Sequence, residues 1–247
     1  MPDGTPPIAR QLERGRSNRF LAILPPHDFA LLRPHLRTDT LERGVMLHDE
    51  AEEIERVYFP HSGMISLVAV MQSGVTVETA TIGRAGVIGA TTGLGAKHSV
   101  GRAIVQLPST TAWLSASQFH AAASRSQAIR DLIVRYNNLL LAQVQQSVVC
   151  NALHTMEARL CRWLLRAHDC MDGNAIPVTQ EFLGQMLGVR RTTVTIAAQL
   201  LQSAGLIRYR RGRIQIVNRP QLEELSCECY AVVRRHTDKI FPPSDGA

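Results

Sequence analysis

The arginines near the C-terminus carry the clearest chemical signal in this chain. Seven of them, at positions 190, 191, 208, 210, 211, 213 and 219, lie between Val178 and Pro220, with no lysine and a single acid, Glu181. That segment alone carries a formal charge of +6, equal to the net charge of all 247 residues. The rest of the chain is therefore balanced. Cations confined to one short segment displace condensed counterions from a polyanion, so the pattern points to a phosphate-bearing partner, against the blander reading of a solvated basic surface.

Other chemistries find less support. The five cysteines, at 150, 161, 170, 227 and 229, are odd in number and show no paired framework, which suits a reducing compartment. Cys227-x-Cys229 is too tight for the usual zinc knuckle and has no Cys-x-x-Cys or His-x-x-x-His near it in sequence, so these are expected to be buried or incidental thiols and no metal site is expected. Histidines 48, 61, 98, 120 and 154 show no ligand spacing and are expected on the surface or in the core. A cupin-type metalloenzyme would need a His-x-His followed closely by Glu, whereas His48, His61 and Glu78 stand apart. No nucleophile elbow, P-loop or dinucleotide-binding glycine pattern is present, and the chain is expected not to be an enzyme.

The elements that must position the arginines follow from periodicity. Thr179 is placed to cap a helix over 180–187, which Gly188 ends. Gly188-Val189-Arg190 is a three-residue corner, and a second helix follows over 191–203 with Val194, Ala197, Leu200 and Leu201 facing inward. Ala204-Gly205 stops it. Two short strands, 206–210 and 213–217, joined by Arg211-Gly212, then form a wing. The outer face of the second helix, Arg191, Thr192, Thr195, Ile196 and Gln199, would enter a DNA major groove, while Arg190 and the wing arginines Arg210, Arg211 and Arg213 would meet the phosphate backbone.

Upstream, residues 40–114 hold short β-rich runs punctuated by glycine, with Gln72-Ser-Gly74 a hairpin tip, which argues an antiparallel barrel or sandwich. From Ser109 to Asp172 there is neither glycine nor proline, and long helices are expected. Ile129, Leu132, Ile133, Tyr136, Leu139, Leu140, Val144 and Val148 make a stripe too wide for one packing partner, so this helix is expected to serve a second subunit as well, through Ile129, Ile133, Tyr136, Leu140, Val144 and Val148. Asn151 to Thr155 is a break. The fold class expected is α+β: a flexible arm over 1–19, a cupin-like antiparallel β-roll over 20–124, a dimerisation helix over 125–151, a winged helix-turn-helix over 152–220, and a C-terminal helix and tail over 221–247. The N-terminal residues lack the apolar core of a secretory signal, and no apolar run could span a bilayer, so a cytoplasmic protein is expected.

The stretch Val-Thr-Gln-Glu-Phe-Leu-Gly-Gln-Met-Leu-Gly-Val-Arg-Arg-Thr-Thr-Val at 178–194, with Leu200-Leu201 and Gly205-Leu206-Ile207, resembles the DNA-binding domain of the Crp–Fnr family of bacterial regulators. Gly44, Val45, Val57-Tyr-Phe to Ser62-Gly63 and Gly86-Val-Ile-Gly89 fall where that family's cyclic-nucleotide-binding-like β-roll has its glycine turns. The resemblance implies a homodimer on double-stranded DNA at a palindromic operator, and RNA polymerase as a partner if the chain is an activator. It makes Arg191 the first base-reading arginine. Thr192 stands where cyclic-AMP-responsive members have glutamate, and Ile196 where they have a second arginine. Thr179, Gln180 and Thr193 match positions that touch phosphates.

The resemblance also implies an effector pocket around Gly89, Ala90, Ser99, Tyr136 and Asn137, and here the chain departs from its relatives. Ala90 replaces the glutamate that holds the ribose hydroxyl, and the phosphate-gripping Arg-Ser pair falls near Ser99-Val100, with Arg102 the nearest arginine. Cyclic AMP in the usual mode is thus not expected, no cofactor is expected, and the effector is open. No cysteine precedes Cys150, so the N-terminal iron–sulfur cluster of the oxygen-sensing branch is excluded. Two alternatives stay open: a cupin-type metalloenzyme, and an interaction module that has lost DNA binding.

Overall fold

The computed structural model describes residues 18–243. Of the expected N-terminal arm, residues 1–17 lie outside the described residues, but Asn18 and Arg19 do not behave as an arm. Asn18 is fully buried and donates from Nδ2 to the carbonyls of Pro60 and Gly86, both at 3.0 Å, while its Oδ1 caps the first helix. That helix, α1 (Arg19–Ala22), is separated by Pro25 from α2 (Pro26–Leu32), because a proline is tolerated at a helix start and not inside one.

The β-roll follows: β1 (Arg37–Leu41), β2 (Met46–His48), β3 (Arg56–Pro60), β4 (Met64–Val70), β5 (Thr76–Ile82), a short 3-10 turn at Ala90–Leu94, β6 (Arg102–Leu107) and β7 (Ser109–Ser115). The strands form two antiparallel sheets ordered β1-β7-β3 and β2-β6-β4-β5. The β4–β5 hairpin turns over Met71 to Val75, with the Gly74 amide bonded to the Met71 carbonyl. Val57, Phe59, Leu114 and Phe119 fill one core cluster, and Ile65, Ile82, Ala103 and Val105 fill another.

A reciprocal capping box between Ser115 and Gln118 starts α3 (Ala116–Arg125), and Ser126 caps α4 (Gln127–Leu153), 27 residues long. Ile129, Leu132, Ile133 and Tyr136 of α4 are buried in the roll. This corrects the expected dimer surface: Ile129, Ile133 and Tyr136 are spent on their own chain's core, so they cannot face a second subunit. The apolar residues of α4 left in solvent are instead Val134 at 48%, Leu141 at 56% and Val148 at 64% exposure, with Val149 and Leu153 beyond them.

After a break at His154, Thr155 caps α5 (Met156–Cys170), and β8 (Ala175–Ile176) leads into α6 (Gln180–Leu187), α7 (Arg191–Ser203), β9 (Ile207–Arg210) and β10 (Arg213–Ile216). α8 (Arg219–Leu225) and α9 (Cys229–Ile240) complete the described chain. α9 turns back along α4 and delivers Phe241, fully buried, to within 6.0 Å of Phe20 and 6.2 Å of Tyr136, ring centroid to ring centroid.

The winged part is docked on the roll. Gly63 donates its amide to the Cys170 carbonyl at 2.8 Å, and Gln106 Nε2 reaches Met186 Sδ at 2.8 Å. Met64 and Leu107 of the roll share one apolar cluster with Leu164, Leu183 and Leu187. Gln143 of α4 and Arg166 of α5 both donate to Thr81 at the end of β5.

Glu78 sits in this seam, where the Ser66 hydroxyl donates to its carboxylate. Burial raises its pKa from the ordinary 4.5 to about 7, against the opposing pull of that hydrogen bond and of Arg162. The folded state therefore favours the protonated acid. The resulting stability is complete below about pH 4.5 and is lost as pH rises to about 7. Thermal melts compared at about pH 5 and about pH 8 should show this loss, and Glu78→Gln should flatten it. An unchanged pH profile in the variant would assign the dependence elsewhere.

Candidate nucleic-acid interface

The helix-turn-helix is set by local signals. The Thr179 hydroxyl accepts from the Phe182 amide at 3.3 Å, starting α6. Gly188 ends it in the left-handed region at φ +65°, and the Val189 amide bonds back to the Gly184 carbonyl at 2.9 Å. Gly184 is required by close approach, because a Cβ there would sit 2.9 Å from the Val189 carbonyl oxygen. The corner thus packs α6 against the start of α7, where Arg190 is the cap residue and makes no side-chain cap bond.

On α7, Val194, Ala197, Ala198 and Leu201 are buried. Leu200 is not: it is 54% exposed, a correction to its expected inward position, since at 3.6 residues per turn it lies about 100° from Leu201. Arg191, Thr192, Ile196 and Gln199 face solvent, while Thr193 is half-buried. Thr195 is also half-buried, and its hydroxyl is engaged with Gln180 Oε1 at 2.7 Å and the Arg191 carbonyl at 3.0 Å. Gln180 and Thr195 therefore brace α6 against α7. Arg191 approaches Glu181 only at 4.0 Å, with both side chains more than two-thirds exposed.

The wing turn has both central residues at positive φ, Arg211 at +49° and Gly212 at +72°, the geometry that matches hairpin twist. Arg210 and Arg213 are directly opposed across β9 and β10, a like-charge pair that costs stability in isolation. Among the described residues, Arg190, Arg208, Arg210, Arg211 and Arg213 are exposed and join no ion pair. Arg219 is the firmly paired arginine of the basic segment. It bonds Asp169 at 2.7 Å and Glu223 at 2.8 Å, so it is structural.

A cavity of about 490 Å³ lies between the roll and α4. Gly89, Ala90, Ser99, Tyr136 and Asn137 line it, beside His48, Glu50 and His98 and aliphatic side chains including Ile54, Leu67, Val68 and Ile88. Leu140 and Val144, expected at a dimer surface, also line it and are only part-exposed. Arg102 is not on its wall. Its guanidinium is held by Asp49 at 2.6 and 3.0 Å, which corrects its candidacy as an anion contact. The Tyr136 hydroxyl donates to the Val87 carbonyl at 2.9 Å, and burial pushes its pKa up, so it stays neutral.

The five cysteines are all buried free thiols, and three of them lie together with a histidine. Cys227 and Cys229 meet Cys150 and His154 from the end of α4, and the four ligand atoms lie within 4.8 Å of one another. The partners that sequence spacing lacked are supplied by the fold. That group contains none of His48, His61 and Glu78, the residues weighed for a cupin centre.

In this chain a β-roll is joined through one long helix to a winged helix-turn-helix. Residues 158–225 match the Crp-like helix-turn-helix domain. FixK2 from Bradyrhizobium japonicum superposes with a TM-score of 0.66 at 16% identity, covering 78% of this chain and 98% of that one. A regulator of the Crp/Fnr family from Eubacterium rectale gives 0.62 at 15% identity, with coverages of 82% and 94%. The c-di-GMP responsive global regulator CLP of Xanthomonas campestris gives 0.56 at 17%, with coverages of 84% and 98%. No curated protein sequence matches. The chain carries the Crp-like helix-turn-helix domain on the fold of the Crp–Fnr transcriptional regulators.

Proposed function

We propose that this protein is a homodimeric, sequence-specific DNA-binding transcription regulator whose β-roll cavity takes an apolar effector. The observation that carries the reading is the wing: Arg210, Arg211 and Arg213 gather at one hairpin tip, in like-charge opposition and without acidic partners among the described residues. Such a tip is stabilised by an external polyanion, and α7 beside it presents Arg191 to a groove. Gln180 and Thr195 would serve DNA only by exchanging their mutual hydrogen bond for a phosphate or base, so their first role is to fix the angle between the two helices.

Val134, Leu141 and Val148 support the dimer. They recur every seven residues on α4 and stay exposed, one of the two apolar positions per heptad that a two-stranded seam uses. Two winged domains would then address successive major grooves of a palindrome. Among the described residues the cavity wall has no arginine or lysine, so a phosphate-bearing ligand would find no permanent countercharge there. That favours a small, largely uncharged effector.

Fluorescence anisotropy with genomic fragments over a range of salt concentrations tests the reading. Binding should weaken steeply with salt. Arg211→Gly should reduce the salt slope by about one, weakening all sequences alike. The same change relieves an arginine from the left-handed region and should stabilise the fold by about 0.5–1 kcal/mol in melts. Salt-independent binding, or none to any fragment, would overturn the regulator reading.

A further inference from the structure

We propose that Cys150, His154, Cys227 and Cys229 form a tetrahedral zinc site that clasps the C-terminal helix α9 to the junction between α4 and the winged domain. Cys150 and His154 stand four residues apart at the C-terminal end of α4, a spacing that puts both on one helix face. Cys227 comes from the link between α8 and α9, and Cys229 is the first residue of α9. Cys150 Sγ lies 3.5 Å from Cys227 Sγ, and Cys229 Sγ lies 3.4 Å from His154 Nδ1. Zinc bonds of about 2.3 Å to sulfur and about 2.0 Å to nitrogen make tetrahedron edges of roughly 3.5–3.8 Å. Two of the six donor–donor edges are thus close to those around one ion, and all six lie within 4.8 Å; Cys150 and Cys227 are too far apart for a disulfide, at about 2.05 Å.

The surroundings fit a metal ligand set as well. With Nδ1 turned to the thiols, His154 points Nε2 at Glu228 Oε2, 3.2 Å away, the carboxylate contact that orients a ligating imidazole. Gln146 Nε2 donates to Cys229 Sγ at 3.0 Å, a bond that favours the thiolate. Arg159 and Arg162 of α5 stand close enough to Cys150 to act on its charge, and their Nε atoms are buried without hydrogen-bond partners. Three thiolates, a neutral imidazole and Zn²⁺ sum to one negative charge, which these guanidiniums offset. Three sulfurs and one nitrogen in a closed tetrahedron select zinc over hard cations. All three cysteines are buried while the Glu228 side chain is 72% exposed, so an ion can enter from that side.

The consequence is mechanical. α9 is held at its far end by Phe241, packed against Tyr136 on the cavity wall, and at its near end by this site at the α4–α5 break. Loaded with zinc, the clasp fixes that break. The site stands independently of the DNA-binding reading.

The full chain, purified reduced, should contain about one zinc per chain by elemental analysis, and Co²⁺ exchange should give the visible bands of a tetrahedral thiolate complex. By chelator competition, Glu228→Gln should weaken zinc binding about 10- to 100-fold. His154→Ala, at a part-exposed position, should weaken it further, and Cys161→Ser, in a separate core, should not change it. Zinc removal should lower the melting temperature of the parent chain and leave that of Cys229→Ser unmoved. Substoichiometric zinc with no cobalt bands, or a Cys150–Cys227 disulfide in the reduced preparation, would overturn the proposal.

Discussion

Gly63→Ala is expected to lower stability by roughly 3 kcal/mol or more, and Gly74→Ala by only about 1 kcal/mol, although both glycines hold positive φ. The φ values are similar, +77° and +80°, so the conformational cost of a side chain is shared. What differs is the space. A Cβ on Gly63 would lie 2.1 Å from the Pro108 carbonyl oxygen and 2.6 Å from Ser109 Cα, both backbone atoms that cannot swing aside. At Gly74, the hairpin tip, nothing lies within 4 Å.

The Gly63 turn also carries the amide that bonds the Cys170 carbonyl, and Met64 beside it belongs to the winged domain's core. The collision therefore strains the roll and the seam together. Hydrogen exchange should report faster exchange of the Gly63-equivalent amide and of α5 in the variant, alongside the lower melting temperature. Equal losses for the two substitutions would mean that the seam is looser than described.

Strand and helix positions around the proposed DNA site were legible because their signals are local. Thr179, Gly188 and Arg211-Gly212 each act within four residues, through a cap, a left-handed stop and a hairpin turn. The partition of α4 was not local. Its wide apolar stripe gave no sign that Ile129, Ile133 and Tyr136 would be taken by the roll, because that depends on where Val87 and Phe20 end up. The heptad of Val134, Leu141 and Val148 was present in sequence, but only Val148 of the three belongs to the broader stripe, and Val134 and Leu141 fall outside it. Arg102 failed for the same reason, since its partner Asp49 is 53 residues away.

The cysteine group shows this limit most clearly. Cys227 and Cys229 find Cys150 and His154 about 75 residues upstream only because α9 folds back along α4. Besides the close pair Cys227-x-Cys229, the available signal was the i, i+4 spacing of Cys150 and His154 at the end of a helical stretch. That spacing becomes informative when a second pair of ligands is sought at a distance rather than in the neighbouring sequence.

Arg191→Ala should cost about 1–3 kcal/mol of discrimination at a single base pair, about 5- to 150-fold in relative affinity, with little change at other positions. Arg191 opens α7, the end of the helix that would meet base edges in the proposed reading, and among the described residues its only ionic contact is an exposed one at 4.0 Å to Glu181. Such a surface pair is worth about 0–1 kcal/mol, so DNA can take the guanidinium at small cost. Arg191→Lys should fail to restore the preference, because a point charge lacks the planar fork that pairs with two acceptors of guanine. Ile196, 60% exposed on the same helix, has no hydrogen bond to offer and would instead contact a thymine methyl. Ile196→Ala should therefore relax a different position, and by less. Affinities measured across a library of single-base operator variants separate these effects, since wing substitutions shift the whole profile and α7 substitutions reshape it. A uniform shift on Arg191→Ala would place that side chain on the phosphate backbone and remove it from base readout.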